Sequence, residues 1–325
     1  MKKIIVMLAG LLVVAGILLF ESDLPAAEVD ARYTSESSQF LRLGEDTRIH
    51  YRDEGKPNGP VIVLLHGAMA SLHTWSPWVQ ELGDDYRIIT VDLPGHGLTG
   101  AVAPAFGAED PMVTAVSAVV DDLAISRFVL GGNSMGGGVT WRFALAYPER
   151  VAAMLLVNAV PAPNWPRINA QSAGSESSQS AVGFTLLGQS WFRAIARYLD
   201  PSWLIRQGLE VAYNRSAVVD DALVDRYYSM IMREGTRAAI LARTGRWREP
   251  RPAFDLSVLT QPSLVMWGAQ DAIIDVAVAE QFEQSLPNTT VVIYEDLGHI
   301  PMEEDPQRSA ADVRRFMQDN FVDEA

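Results

Sequence analysis

The feature that most constrains this chain is a sharp reversal built from glycine. Residues 128–131 form an apolar stretch of strand length, residues 135–147 read as a helix, and the pattern Gly132-Asn133-Ser134-Met135-Gly136 joins them. A strand that turns directly into a helix holds the corner residue in a strained backbone conformation. It closes only if the neighbours carry no bulky side chain. Gly132 and Gly136 meet that need, and Gly137 and Gly138 read as small residues that let the helix lie close on a sheet. Such a corner presents the Ser134 hydroxyl at the carboxyl end of the strand, beside the first amides of the helix, where developing negative charge is favoured. Ser134 is the candidate nucleophile.

The flanking sequence predicts the sheet to which this corner belongs. Residues 61–65, 87–91, 153–157, 263–267 and 290–294 are further apolar runs of strand length, and residues 112–123, 276–285 and 306–321 carry helical patterns. Strands apolar on both faces that alternate with helices make a mostly parallel sheet covered on both sides, an α/β fold. Short strands at 40–43 and 48–53, followed by the turn cluster 55–60, open it with a hairpin and bring the expected strand count to eight.

From residue 159 to about 254 no strand pattern is found. A serine-rich loop (171–180) leads into helical stretches carrying Trp191, Phe192, Tyr198, Trp203, Tyr227 and Tyr228. The expected organisation is a core (32–158 and 256–325) interrupted by a helical cap (159–255). The cap aromatics read either as an apolar pocket wall above Ser134 or as packing.

Only five histidines need judging. His50 and His73 read as structural or surface residues, and His66 and His96, in glycine-rich turns, as loop braces. His299 follows the last strand in Leu297-Gly298-His299-Ile300-Pro301, at the sheet end where ligands bind in open α/β sheets. A histidine there can take the serine proton and return it to a leaving group. Asp271 follows residues 263–267 in Trp267-Gly268-Ala269-Gln270-Asp271, at the same end, and is the expected orienting acid, with Asp275 as its competitor. Asp255 and Asp296 read as a solvated residue and a loop brace. The two amides expected to hold an oxyanion are those of Met135 and Ala68.

With these residues placed, the chain from about residue 40 onward resembles the α/β-hydrolase superfamily. The matching segments are His66-Gly67, Asp92-Leu93-Pro94-Gly95-His96-Gly97, the Ser134 elbow with Gly137, Trp267 to Asp271, and Gly298-His299-Ile300-Pro301-Met302-Glu303. The resemblance implies a Ser134–Asp271–His299 triad in that chain order, a helical cap, and no cofactor or metal. Serine at the elbow argues against the epoxide hydrolases and haloalkane dehalogenases, which use aspartate there. Carbon–carbon bond hydrolases of aromatic degradation share Ser-Met-Gly-Gly. They typically carry a Gly-Gly-Pro-Gly-like loop and a Trp after the catalytic His, where this chain has Ala68-Met69-Ala70 and Ile300. Among anchored members of the superfamily, the chain looks most similar to monoacylglycerol lipase-type and other carboxylesterases with an N-terminal membrane segment. The expected reaction is hydrolysis of a carboxylic ester. A carbon–carbon hydrolase, a thioesterase or a peptidase would share the triad, and a non-catalytic binding protein on the same fold would usually have lost it.

Composition narrows the partners. A net charge of −14 argues against nucleic acid and other polyanions, whose binding needs clustered Lys and Arg, and the lack of cysteine excludes disulfides and a thiol nucleophile. Lys2 and Lys3 precede an uncharged apolar run of 17 residues (4–20) and then an acidic, small-residue stretch (21–27). This pattern reads as an export signal or anchor with its N-terminus inside. Cleavage after Ala27 would put Pro25 where a small residue is usual, so the run is expected to remain as an anchor, with the catalytic part exported.

Overall fold

The computed structural model describes residues 20–166, 188–245 and 252–321. Of the apolar run 4–20 only Phe20 falls within them, and the serine-rich loop lies outside. Among the described residues no helix is long and apolar enough to cross a membrane.

One eight-stranded sheet organises the chain: β1 (Ser38–Arg42), β2 (Arg48–Gly55), β3 (Val61–Leu65), β4 (Arg87–Val91), β5 (Phe128–Asn133), β6 (Val151–Val157), β7 (Ser263–Gly268) and β8 (Thr289–Tyr294). The spatial order is β1-β2-β4-β3-β5-β6-β7-β8. β2 is antiparallel to both its neighbours, and every pair from β4 to β8 is parallel. The central strands are apolar throughout because each face has its own core. Val63, Leu65, Leu130, Val265 and Trp267 pack on one side, and Ile62, Leu64, Val129, Leu264 and Met266 on the other. Each fully buried Val, Leu or Ile contributes about 1.5–3 kcal/mol relative to exposure.

The described helices are α1 (Ala26–Tyr33), α2 (Ser76–Leu82), α3 (Pro111–Asp122), α4 (Met135–Ala146), α5 (Ser190–Ala196), α6 (Ser202–Ala212), α7 (Asp221–Met232), α8 (Thr236–Gly245), α9 (Ala277–Ser285), α10 (Pro301–Glu304) and α11 (Pro306–Phe321). α3 starts where Asp110 accepts from the amides of Met112 and Val113, and α7 where Asp220 accepts from Leu223. Between β6 and β7 the described residues form helices α5 to α8 and no strand. The cap aromatics divide. Tyr213 and Tyr227 are buried in the core, whereas Trp191, Tyr198 and Trp203 face outward.

The residues before β1 are bound to the helices between β6 and β7. Leu24 N–H donates to the Met232 carbonyl (2.7 Å), Glu234 N–H to the Leu24 carbonyl (2.9 Å), and Glu21 N–H to the Tyr198 carbonyl (2.9 Å). α1 follows this strap. Its Asp30 accepts from Arg233 of the cap (2.8 Å) and from Arg48 of β2. Burial raises the Asp30 pKa, but these two guanidiniums outweigh it and hold the carboxyl below its ordinary value. Arg32 pairs with Asp225, and Arg237 with Asp23 (2.7 Å).

Candidate active site

Strand register brings the functional loops together. Asn133 pairs with Val157, Val157 with Met266, and Gly268 with Tyr294. Ser134, Asn158, the loop holding Asp271 and the loop holding His299 therefore leave the same edge of the sheet side by side.

Ser134 is the corner between β5 and α4, at φ 52° and ψ −113°, the left-handed region that costs an ordinary residue of order 1–3 kcal/mol. Its amide donates to the Val157 carbonyl, and its carbonyl accepts from Gly138 and Val160, so the backbone is held on three sides. The glycines are needed sterically. A Cβ at Gly136 would fall 2.1 Å from the Leu65 carbonyl oxygen, and one at Gly132 would fall 2.3 Å from the Gly136 carbonyl carbon.

His299 and Asp271 meet, with Nδ1 of His299 2.7 Å from Oδ2 of Asp271 and both side chains buried. Nδ1 donates to the carboxylate, which leaves Nε2 as the nitrogen able to take a proton from a hydroxyl. Among the described residues the Ser134 hydroxyl is not hydrogen-bonded to that nitrogen. The two residues are linked instead through Asn133, whose Nδ2 donates to the His299 carbonyl (3.0 Å). Asp275 does not compete, because its Oδ1 caps α9 at the Ala277 amide. Asp296 pairs with Arg308 at the surface, and Asp255 turns back on Ser257.

The loop after β3 stands against the elbow. A Cβ at Gly67 would lie 3.4 Å from Ser134 Cβ, and Met69 takes a positive φ of 64°. This places the backbone around Ala68 near Ser134, while Met135 supplies the first amide of α4. Asp92, fully buried at the end of β4, accepts from the amides of Leu72 and Leu98 and from His50 Nδ1 (2.7 Å). It thereby fixes two loops at once. His66 Nδ1 donates to the Gly67 carbonyl and its Nε2 accepts from Leu93 N–H, while His96 Nδ1 meets the Pro94 carbonyl. His73 is also buried, and accepts from Arg52 (2.9 Å). Burial lowers the pKa of all three, His73 to about 3 with Arg52 adding to the effect. Among the described residues no cluster of histidines and carboxylates is arranged to hold a metal ion.

Residues 60–306 match the family model of the alpha/beta hydrolase fold. This chain belongs to the α/β-hydrolase family. Its relatives include a 2-hydroxy-6-oxononadienedioate/2-hydroxy-6-oxononatrienedioate hydrolase of Burkholderia vietnamiensis, 27% identical over 87% of this chain and 96% of the relative. A pimeloyl-[acyl-carrier protein] methyl ester esterase of Nitrosomonas europaea is 28% identical over 80% of this chain and 96% of the relative. Among solved structures, Cfl2 of Burkholderia cenocepacia superposes with a TM-score of 0.73 at 26% identity, over 86% of this chain and 95% of that one.

Three residues that sequence reasoning missed lie around this candidate site. Asn158, at φ 45° after β6, donates through Nδ2 to the same Asp271 oxygen that faces His299 (2.7 Å). Glu304 of α10 clamps the histidine loop by accepting from Gly298 N–H (2.8 Å) and Ile300 N–H (3.0 Å). Its burial raises its pKa, against the lowering effect of those two amides. Arg243 of the cap reaches to the sulfurs of Met112 and Met135, which brings a cation to the residue after Ser134. The position of Asn158 at a strand end was the only available signal. Glu304 and Arg243 lack even that, since neither spacing nor pattern tells which loop a helix residue will brace.

Proposed function

We propose that the protein is a serine hydrolase that cleaves a carboxylic ester with an apolar acyl or aromatic group. The observation that carries this is the buried 2.7 Å His299–Asp271 pair on the loop edge beside a strained Ser134. His299 Nε2 takes the proton of Ser134 as its oxygen attacks the ester carbonyl. The amides of Met135 and Ala68 receive the developing oxyanion. The imidazolium, held by Asp271, then gives its proton to the leaving alcohol, and a water activated by the same nitrogen releases the acid. We further propose that the run 4–20 stays attached as a membrane anchor and that the catalytic part is exported. Support comes from residues 21–24, on the near side of the conceivable cleavage point after Ala27, which pair with the cap.

A second reading, hydrolysis of a carbon–carbon bond, is favoured by the Burkholderia relative. One experiment separates the two. A fluorophosphonate should label the protein, and Ser134→Ala should remove both labelling and turnover of a graded ester panel. Turnover of 2-hydroxy-6-oxo dienoic acids in preference to every ester would instead select the carbon–carbon reading. Ester turnover retained by Ser134→Ala would refute both.

A further inference from the structure

Between β6 and β7 several large apolar side chains stay exposed among the described residues. α5 reads Ser-Trp-Phe-Arg-Ala-Ile-Ala and buries none of its residues. Trp191, Ile195, Tyr198, Trp203 and Leu204 are each 44–68% exposed, and Phe20 is 57% exposed. These are six of the eight exposed large apolar side chains among the described residues, so the exposure is concentrated in the chain rather than scattered.

Phe20 says what lies against this face. It is the last residue of the uncharged run 4–20, and its ring stacks on Tyr198 with centroids 6.4 Å apart. Phe20 also pairs with Leu199 as an isolated bridge. The apolar run therefore joins the fold within the patch itself. The charge is suited as well. In a chain whose net charge is −14, Arg197 lies over the Tyr198 ring at 5.0 Å, within the patch. Tryptophan and tyrosine beside arginine make up a surface that settles at lipid headgroups, with rings toward the acyl chains and cations toward phosphate.

We infer that this face of α5 and the start of α6 seats on the phospholipid bilayer that holds the apolar run, with Trp191, Ile195, Trp203 and Leu204 at the boundary of headgroups and acyl chains. The inference rests on the anchor reading above. A second copy of the chain is the competing occupant. It would have to displace a bilayer that the chain itself brings within one side chain of the patch.

The test uses the full-length protein reconstituted in phosphatidylcholine–phosphatidylglycerol vesicles containing lipid doxyl-labelled near the headgroup end of the acyl chain. Trp191 and Trp203 are exposed, whereas Trp75, Trp78, Trp141 and Trp267 are fully buried. Quenching of tryptophan emission is expected in the wild type, and most of it should be lost in Trp191→Phe/Trp203→Phe, with turnover of a soluble short-chain ester unchanged. Equal quenching in both proteins, with the protein retained on vesicles through a carbonate wash, would overturn the inference and leave the anchor standing. Release by the wash would remove the anchor and the inference together. Because the chain has no cysteine, Ile195→Cys gives a further readout: an intermolecular disulfide with no lipid quenching would give the face to a second copy.

Discussion

Asp271 accepts four hydrogen bonds, and only one comes from the imidazole it is proposed to orient. Oδ1 takes the amides of Ile273 and Ile274, and Oδ2 takes Asn158 Nδ2 and His299 Nδ1. Asn158 is thus a positioning residue that acts through the carboxylate. Asn158→Ala should lower kcat about tenfold with little change in KM, the equivalent of about 1.4 kcal/mol. A change in KM alone would show Asn158 to be a substrate contact instead. At this scale the sequence displayed the meeting of His299 and Asp271 clearly, since both follow apolar strand runs and must emerge at one edge. Asn158 also follows such a run, but its side chain matters only through an oxygen more than a hundred residues away in the chain.

Elements were legible wherever periodicity is local. All eight strands and the four core helices expected from pattern are present, with bounds within two residues of expectation, as where Gly132 and Asn133 continue the ladder of β5. α1 and the strap were not legible, because their partners, Met232, Arg233 and Glu234, lie about two hundred residues downstream. Asp30 is the pivot of that contact, facing two guanidiniums of which Arg233 is itself buried. Asp30→Ala strands those cations and should cost about 2–4 kcal/mol. Chemical denaturation measures the loss, and limited proteolysis should show cleavage in α7 and α8 before the sheet. Intact cap helices at the wild-type digestion rate would mean that the backbone pairs of Leu24 suffice alone.

The molecule as a whole keeps three of its five histidines neutral in the interior. His66, His73 and His96 have folded pKa values below the ordinary 6.5. Below 6.5 the unfolded chain takes up protons that the folded chain refuses, so stability falls as pH falls. For His73 the loss runs from 6.5 down to about 3. Each fully coupled histidine contributes a slope of about 1.4 kcal/mol per pH unit within that window. Urea midpoints measured at intervals from pH 7.5 to 4.5 should be level above 7 and decline below 6.5. His73→Gln should flatten part of the decline, whereas a midpoint independent of pH across this range would contradict the neutral assignments.

The strap also sets an order of events. A processing peptidase needs several residues in extended, accessible form. In the folded chain the residues before Ala27 are engaged, with Glu21 and Leu24 joined to the cap and a helix beginning at Ala26. On the export proposed above, any removal of the apolar run would have to precede the cap, because the cap partners of the strap are made roughly two hundred residues later than the strap. Folding of the cap would then close the stretch before Ala27 to such a peptidase, which is how the strap would favour the retention proposed above.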